Sequence, residues 1–192
     1  MQFVRLVIQN MRKNEKLKNY IFLRNTQGLC IILMPFLVLY AKEHLGAESR
    51  DIGNFLLLKV IGGVLTGGIL YTYANKIKYN VMLIMTSILG VLIPVGIISF
   101  PGALLFPSIF LAAGLVFAMH DISISGILLE VTTNENRAVY AGISGAGSIF
   151  PVVFPFLGGW IVTESGFNSF FLLLSAFMLL SFYFIWKLKC KK

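Results

Sequence analysis

The sequence predicts an all-α membrane protein with six transmembrane helices. Of its 192 residues, 57% are hydrophobic and only 12% are charged, whereas soluble domains carry about 25% charged residues. The mean hydropathy is +0.84. The apolar residues form six segments, each close to the roughly 20 residues that cross a hydrocarbon core of about 30 Å. Little of the chain is left for any other domain.

The six apolar segments follow one another with short breaks between them. They cover residues 21–41, 52–74, 81–99, 103–129, 138–162 and 167–187. Because the breaks are short and rich in turn-forming residues, each helix is expected to run antiparallel to the next. The predicted organisation is a cytoplasmic amphipathic lead (1–20), a six-helix transmembrane domain (21–188) and a basic cytoplasmic tail (189–192). The lead either lies on the inner leaflet or is a cytoplasmic linker helix.

The formal net charge of +8 is distributed as in a membrane protein. Only Lys42 and Arg50 fall in the loops on one side of the membrane. The basic residues on the other side are Arg5, Arg12, Lys13, Lys16, Lys18, Lys76, Lys78, Arg137, Lys187, Lys189, Lys191 and Lys192. By the positive-inside rule, both termini are cytoplasmic and the protein is integral to the inner or plasma membrane. The partner that this charge indicates is the lipid bilayer, not nucleic acid.

Small residues give two of the predicted helices smooth faces. The second segment contains "IGGVLTGGIL", in which Gly63 and Gly67 have the GxxxG spacing that allows membrane helices to approach closely. The fifth contains "AGISGAGS" and "FPFLGGW", with Gly142, Gly158 and Gly159. These five glycines are predicted to serve helix packing.

Asp121 is the most costly polar residue of the predicted spans. An ionisable side chain at the bilayer centre costs about 2.5–3.5 kcal/mol on insertion scales, and Asp121 lies roughly 15 Å from the cytoplasmic end of its helix. Helical periodicity places Gly114, Ala118 and Ser125 on its face. His120 is one step to the side, so it is expected to adjust Asp121 and not to act as a ligand itself.

Two basic residues also fall within predicted spans, and each has two interpretations. Arg24 shares a helix face with Gln27 and either reaches back to the membrane interface or lies beside Asp121 in a shared cavity. Lys59 lies about 10 Å below the outer surface. It either reaches outward to the interface or forms an ion pair or a contact with a solute.

An enzyme is not expected from this sequence. The only histidines are His44 and His120, and the HExxH, CxxC, GxSxG and Walker A motifs do not occur. His120 and Ser123 lie close in sequence, but a helix offers no obvious oxyanion donors beside them. We predict no cofactor and no metal ion.

The last three segments resemble a known transporter family. The turn "TTNENRAVYAG", the helix with "FPFLGGWIV" and the segment "GFNSFFLLLSAFMLLSFYFIWKLK" are similar to helices ten to twelve of the major facilitator superfamily. Positions typical of that family are occupied by Arg137, Gly142, Pro155, Gly158 and Gly159. The stretch "YTYANKIKYN" resembles the family's G-x-L-A-D-R-x-G-R joint. It keeps Ala74 and Lys76 but has Asn75 where the family has an acid.

The resemblance implies the C-terminal six-helix half of such a transporter, built as a three-plus-three inverted repeat. The half would work with an N-terminal six-helix half or with a second copy of itself, moving a small solute by alternating access. The chain is expected to be a fragment, a split chain or a separate reading frame. The substrate or proton path would comprise Arg24, Gln27, Lys59, His120, Asp121 and Ser125.

Two further interpretations stay open. Asp121 either exchanges protons or binds a cation during transport, or it only fixes helix packing. The chain as a whole is either a transporter half or a non-transporting membrane protein whose glycine faces dock onto another protein.

Overall fold

The computed structural model describes residues 14–73, 76–100, 102–132 and 137–188, and all regular structure in these ranges is helical. A short 3-10 helix, Ala103–Leu105, precedes one of the α-helices. In chain order the α-helices are α1 (Glu15–Gln27), α2 (Leu29–His44), α3 (Ser49–Tyr73), α4 (Tyr79–Ser99), α5 (Phe106–Val131), α6 (Arg137–Ala146) and α7 (Phe150–Leu188). The predicted all-α class is confirmed for this part of the chain.

Five helical stretches of the described chain are long and apolar enough to cross a membrane. The first, Glu15–His44, contains α1 and α2, and the last, Arg137–Leu188, contains α6 and α7. The expected segments 138–162 and 167–187 are therefore not separated by a loop. Only Gly166 leaves the helical conformation between them, with φ 79° and ψ 170°. Glycine adopts such a positive φ without a steric penalty.

The chain folds back on itself at Gly166. The ring of Phe177 lies 5.2 Å from that of Phe150 and 5.8 Å from that of Phe154. In a straight helix, residues 150 and 177 would be roughly 40 Å apart. Helix α7 thus consists of a first arm before Gly166 and a second arm after it, packed side by side.

The start of α1 is fixed by its cap. The side chain of Asn14 accepts hydrogen bonds from the main-chain N–H groups of Lys16 (3.1 Å) and Leu17 (3.2 Å), and Glu15 stands in the first turn. An acceptor and a carboxylate both stabilise a helix N-terminus. The helix therefore begins inside the predicted lead. Residues 1–13 and the predicted tail, 189–192, lie outside the described ranges.

The main core joins α2, α4, α5 and α7. Its buried members include Leu33, Leu37, Phe110, Phe170 and Leu174. A smaller cluster joins Leu17 of α1 to Leu188 of α7. Helix α3 lies at the edge of this core, since its buried residues are only Gly62, Thr66 and Leu70.

Two glycines set the distance between α3 and α5. A Cβ atom at Gly62 would overlap the carbonyl oxygen of Leu111, and one at Gly114 would overlap that of Lys59. Backbone therefore lies directly on backbone at this crossing, as small residues permit in membrane helices. This crossing fixes where α3 presents the side chain of Lys59 to α5.

Candidate functional site

Asp121 lies on an exposed part of α5 and faces two cations from other helices. The charges of Arg24 in α1 and Lys59 in α3 both act on its carboxylate. Among the described residues no direct ion pair or hydrogen bond to this carboxylate is formed. Charges from α1 and α3 therefore act on a carboxylate of α5 that is exposed.

Lys59 is directed towards α5. Its Nζ lies 4.3 Å from the centre of the Phe117 ring, close enough for a cation–π contact. Phe117 precedes Asp121 by one helical turn and so lies on the same face of α5. Lys59, Phe117 and Asp121 therefore form one continuous surface.

Arg24 is held by a residue of α6. Its Nη1 donates a hydrogen bond to the hydroxyl of Ser144, a fully buried residue. The Ser144 hydroxyl in turn donates to the phenol oxygen of Tyr20 at 3.3 Å. The guanidinium is therefore tied to the interior of the helix bundle by a residue 120 positions further along the chain.

The neighbouring Asn25 bridges the break between α6 and α7. Its amide nitrogen donates to the carbonyl oxygens of Ile21 (2.8 Å) and Gly147 (2.7 Å). Its amide oxygen accepts from the N–H of Phe150 at 3.0 Å. One side chain of α1 thus satisfies main-chain groups on both sides of the break.

The junction of α1 and α2, where Gly28 keeps helical φ and ψ of −58° and −17°, lies against this break. Gly28 ends α1 and precedes α2, and a Cβ atom there would come within 2.7 Å of Cγ of Pro151. The junction of α1 and α2 therefore touches the start of α7. In membrane transporters, an interrupted helix such as α6–α7 commonly contributes to a binding site near the bilayer midplane.

Gln27 is turned away from Asp121, towards α4. It is fully buried, and its Nε2 donates to the carbonyl oxygen of Leu83 (2.8 Å) and to the hydroxyl of Ser87 (2.7 Å). The hydroxyls of Ser87 and Ser181 are 2.6 Å apart. This network links α1, α4 and α7, while Oε1 of Gln27 has no partner.

His120 and Ser125 lie on different sides of α5. His120 is 3% exposed and its Nδ1 has no hydrogen-bond partner, although the charge of Arg24 acts on it. Ser125 is exposed, one turn beyond Asp121. Only Ser125 therefore extends the accessible surface of Asp121.

The sequence model of the Major Facilitator Superfamily matches residues 26–191. The chain belongs to the Major Facilitator Superfamily. No curated protein and no solved structure matches it. Membership of this superfamily, together with the apolar helices, makes the protein an integral membrane transporter and confirms the resemblance noted from the sequence.

Members of the Major Facilitator Superfamily are in general transporters and not enzymes. The described residues contain no group of three His, Cys, Asp or Glu side chains that could hold a metal ion. The hydroxyl of Ser123 donates to the main-chain oxygens of Met119 and His120. Since it bonds to its own helix, it is not arranged as a nucleophile beside an imidazole base.

Of the five glycines predicted for helix packing, one is in close contact with other described residues and four are not. A Cβ atom at Gly158 would lie 2.8 Å from the rings of both Phe36 and Phe170, so this glycine is in a close contact. The others face open space within the described chain or, for Gly63, an ordinary contact of 3.8 Å. These others are Gly63, Gly67, Gly142 and Gly159.

Two cavities lie at the opposite end of the molecule from the start of α1. Their volumes are about 290 and 550 Å³, and both are lined by His44, Gly166 and Phe167. Neither is lined by Asp121, Arg24 or Lys59. The three charged residues therefore belong to neither of these cavities.

Sequence reasoning missed Asn25, Tyr20, Ser87, Ser144 and Ser181. All five are neutral polar residues, and the three serines are of a type that often bonds only to its own helix. A usable signal was present for two of them. Asn25 adjoins Arg24 in sequence, and Ser144 stands in the glycine-rich stretch "AGISGAGS".

Proposed function

We propose that this chain is one half of a secondary active transporter that moves a small solute by alternating access. The observation that carries the proposal is the exposed carboxylate of Asp121 on the face of α5 where Lys59 of α3 lies over the Phe117 ring, with the charges of Lys59 and Arg24 acting on it. A charged group inside a membrane helix is costly and is found where it faces a cavity or a partner. The face around Asp121 is therefore the wall of a solute or ion path that a second half completes.

The path comprises Arg24, Gln27, Lys59, His120, Asp121 and Ser125. Asp121 is its proton-exchanging or cation-binding group, and the two basic residues hold its charge. Gln27 and His120 are buried in the present arrangement, so they join the path only when the helices around them move. Each has one polar atom without a partner, which is a reason to expect such a second arrangement.

The topology that accompanies this function has six passes in a three-plus-three inverted repeat. The reversal at Gly166 supports six passes. The two ends of the described chain also lie together, because Phe22 of α1 stacks on Phe184 of α7 at 5.4 Å. An even number of passes brings both ends to the same side. The basic residues assign that side to the cytoplasm of a cell with an inner or plasma membrane.

The partner is an N-terminal six-helix half or a second copy of this chain. The open glycines Gly67 and Gly159 and the apolar face of α3, with Val64 69% exposed, supply a surface for it. A helix of a partner can approach closely at glycines. Lipid covers the remaining apolar surface.

Uptake into proteoliposomes tests this function. The chain is reconstituted alone and with a six-helix half, a pH gradient is imposed, and uptake of radiolabelled glucose, leucine and tetraphenylphosphonium is compared with empty vesicles. We expect one solute class to accumulate when the gradient is present and the partner is supplied. Failure of all three classes in both preparations would count against transport.

A second function is favoured by one observation. Gly67 and Gly68 have no atom within 4 Å of a Cβ position, so the chain also suits a non-transporting role in which α3 docks onto another membrane protein. That role predicts co-purification that depends on Gly67 and no solute flux. The uptake experiment separates the two.

A further inference from the structure

The guanidinium of Arg24 is hydrogen-bonded to the buried hydroxyl of Ser144, while its charge also acts on the carboxylate of Asp121, which is unpaired within the described chain. A pair between Arg and a carboxylate, which is charged on both sides and can be bidentate, is stronger than a hydrogen bond from Arg to a neutral hydroxyl. Arg24 therefore stays with Ser144 only as long as the helices hold the two together.

Ser144 is built as a fixed acceptor. It is fully buried, and a serine hydroxyl has one proton and two lone pairs. The proton is directed to Tyr20, so the lone pairs are free to face Arg24. Because the bond to Tyr20 fixes the orientation of the hydroxyl, the position of this oxygen relative to Arg24 depends on where α6 lies.

The position of α6 relative to α1 depends in turn on the break that Asn25 bridges. The side chain of Asn25 is hydrogen-bonded to Gly147 at the end of α6 and to Phe150 at the start of α7. The main-chain N–H groups of Gly147 and Ser148 bond back to α6, and those of Val152 and Val153 bond to Ile149, so none of these four bonds links α7 to α6. The two helices are therefore joined here by the chain and by Asn25, and not by a continuous main-chain hydrogen-bond ladder.

We propose that Ser144 is a positioning residue for transport, whose hydroxyl holds Arg24 apart from Asp121 until movement at the α6–α7 break releases the cation to the carboxylate. This inference rests on the proposed function, because it assigns Arg24 and Asp121 to the path. Lys59 acts on Asp121 from α3 and stays in place in both states. This transfer of Arg24 from Ser144 to Asp121 would couple a change of helix position to a change of charge in the path.

A charge-sensitive labelling experiment tests the exchange without knowledge of the solute. Ser125→Cys places a thiol on the exposed turn next to Asp121, in a full-length chain whose Cys30 and Cys190 are replaced by serine. The chain in proteoliposomes is treated with an anionic and with a cationic methanethiosulfonate. The ratio of the two rates reports the local charge, because ionisation of the thiol affects both reagents equally.

Release of Arg24 towards Asp121 makes this site more positive. We expect Ser144→Ala to raise the anionic-to-cationic ratio by about two- to fourfold, as for a charge that comes several ångströms closer in a water-filled path. Ser144→Gly removes the same hydroxyl and serves as the second variant. Ser144→Thr keeps the acceptor and is expected to leave the ratio unchanged, as is Tyr20→Phe.

Two outcomes overturn the inference in different ways. If Arg24→Gln lowers the ratio but neither Ser144→Ala nor Ser144→Gly raises it, Ser144 does not hold the cation, and the proposed path survives. If the thiol introduced by Ser125→Cys reacts with neither reagent, the face is closed to water, and both the path and the exchange fail. As an internal check, the effect of Ser144→Ala must shrink in an Asp121→Asn background, which lacks the attracting carboxylate.

Discussion

Asn25 accepts a hydrogen bond at 3.0 Å from the main-chain N–H of Phe150, a residue 125 positions further along the chain. The same side chain donates to the carbonyl of Gly147. It therefore takes the place of main-chain partners that α6 and α7 lack where they are interrupted. Unpaired main-chain groups are costly inside a membrane, so this one amide removes part of the cost of the interruption.

Asn25→Leu should loosen the break between α6 and α7. The variant keeps a similar volume but leaves the Phe150 N–H and the Gly147 carbonyl without these partners. Hydrogen–deuterium exchange of a peptide covering residues 147–152 is expected to become at least tenfold faster, because opening no longer breaks these bonds. Thr26→Val is the matched control, since Thr26 bonds only to the carbonyls of Phe22 and Leu23 in its own helix. Equal exchange in the two variants would contradict the bridging role.

Asp121→Asn should uncouple uptake from the pH gradient. The amide occupies the same space but cannot carry the exchanged charge. Under the proposed function, gradient-driven accumulation is expected to fall more than tenfold, whereas Asp121→Glu keeps part of it. Glu130→Gln, on an exposed position of the same helix, is the control and should transport normally. Unchanged coupling in Asp121→Asn would assign this residue to helix packing alone.

Gly114→Ala should destabilise the protein although it adds only one methyl group. The new Cβ atom would overlap the main-chain oxygen of Lys59, and backbone cannot move aside as a flexible side chain does. We expect a loss of about 1–3 kcal/mol in the free energy of unfolding. Gly68→Ala provides the comparison, because no atom lies near its Cβ position. Unfolding by dodecyl sulfate in mixed micelles measures both, and similar stabilities would refute the close α3–α5 crossing.

Gln27→Leu should weaken the junction of α1, α4 and α7. It removes the hydrogen bonds to Leu83 and Ser87, and interhelical hydrogen bonds in membrane proteins contribute about 0.6 kcal/mol on average and up to about 1.7 kcal/mol. A loss within that range is expected in the same unfolding assay. Thr72→Val is the control, since Thr72 is exposed and bonds to its own helix. A gain in stability would mean that the unpartnered Oε1 of Gln27 outweighs both bonds.

Gly67→Leu should affect assembly and not folding. Its Cβ position is open, so the isolated chain is expected to unfold at an unchanged concentration of dodecyl sulfate. Cross-linking to a partner half or a second copy should fall severalfold, since a bulky side chain separates closely packed helices. Gly53→Leu, also open and near the start of α3, is the control. Undiminished cross-linking would move the contact surface away from this part of α3.

The broad architecture could be predicted because it depends on quantities that the sequence displays directly. Length and hydropathy are enough to identify apolar helices, and charge is costly in hydrocarbon wherever the chain runs. That is why Asp121, Arg24 and Lys59 stand out in the sequence before any contact is known. The sequence predicts a loop around Gly166, but in the structure the chain reverses at this one glycine, which has a positive φ.

The partner of each polar side chain was decided only by the tertiary structure. Helical periodicity shows that Arg24 and Gln27 share a face, but it does not show that Gln27 turns to Ser87 while Arg24 reaches Ser144. The same holds for glycines, since Gly62 lies in the close contact and Gly67 faces open space. Periodicity fixes directions within one helix, whereas the rotation of each helix against its neighbours follows from how all the side chains pack together.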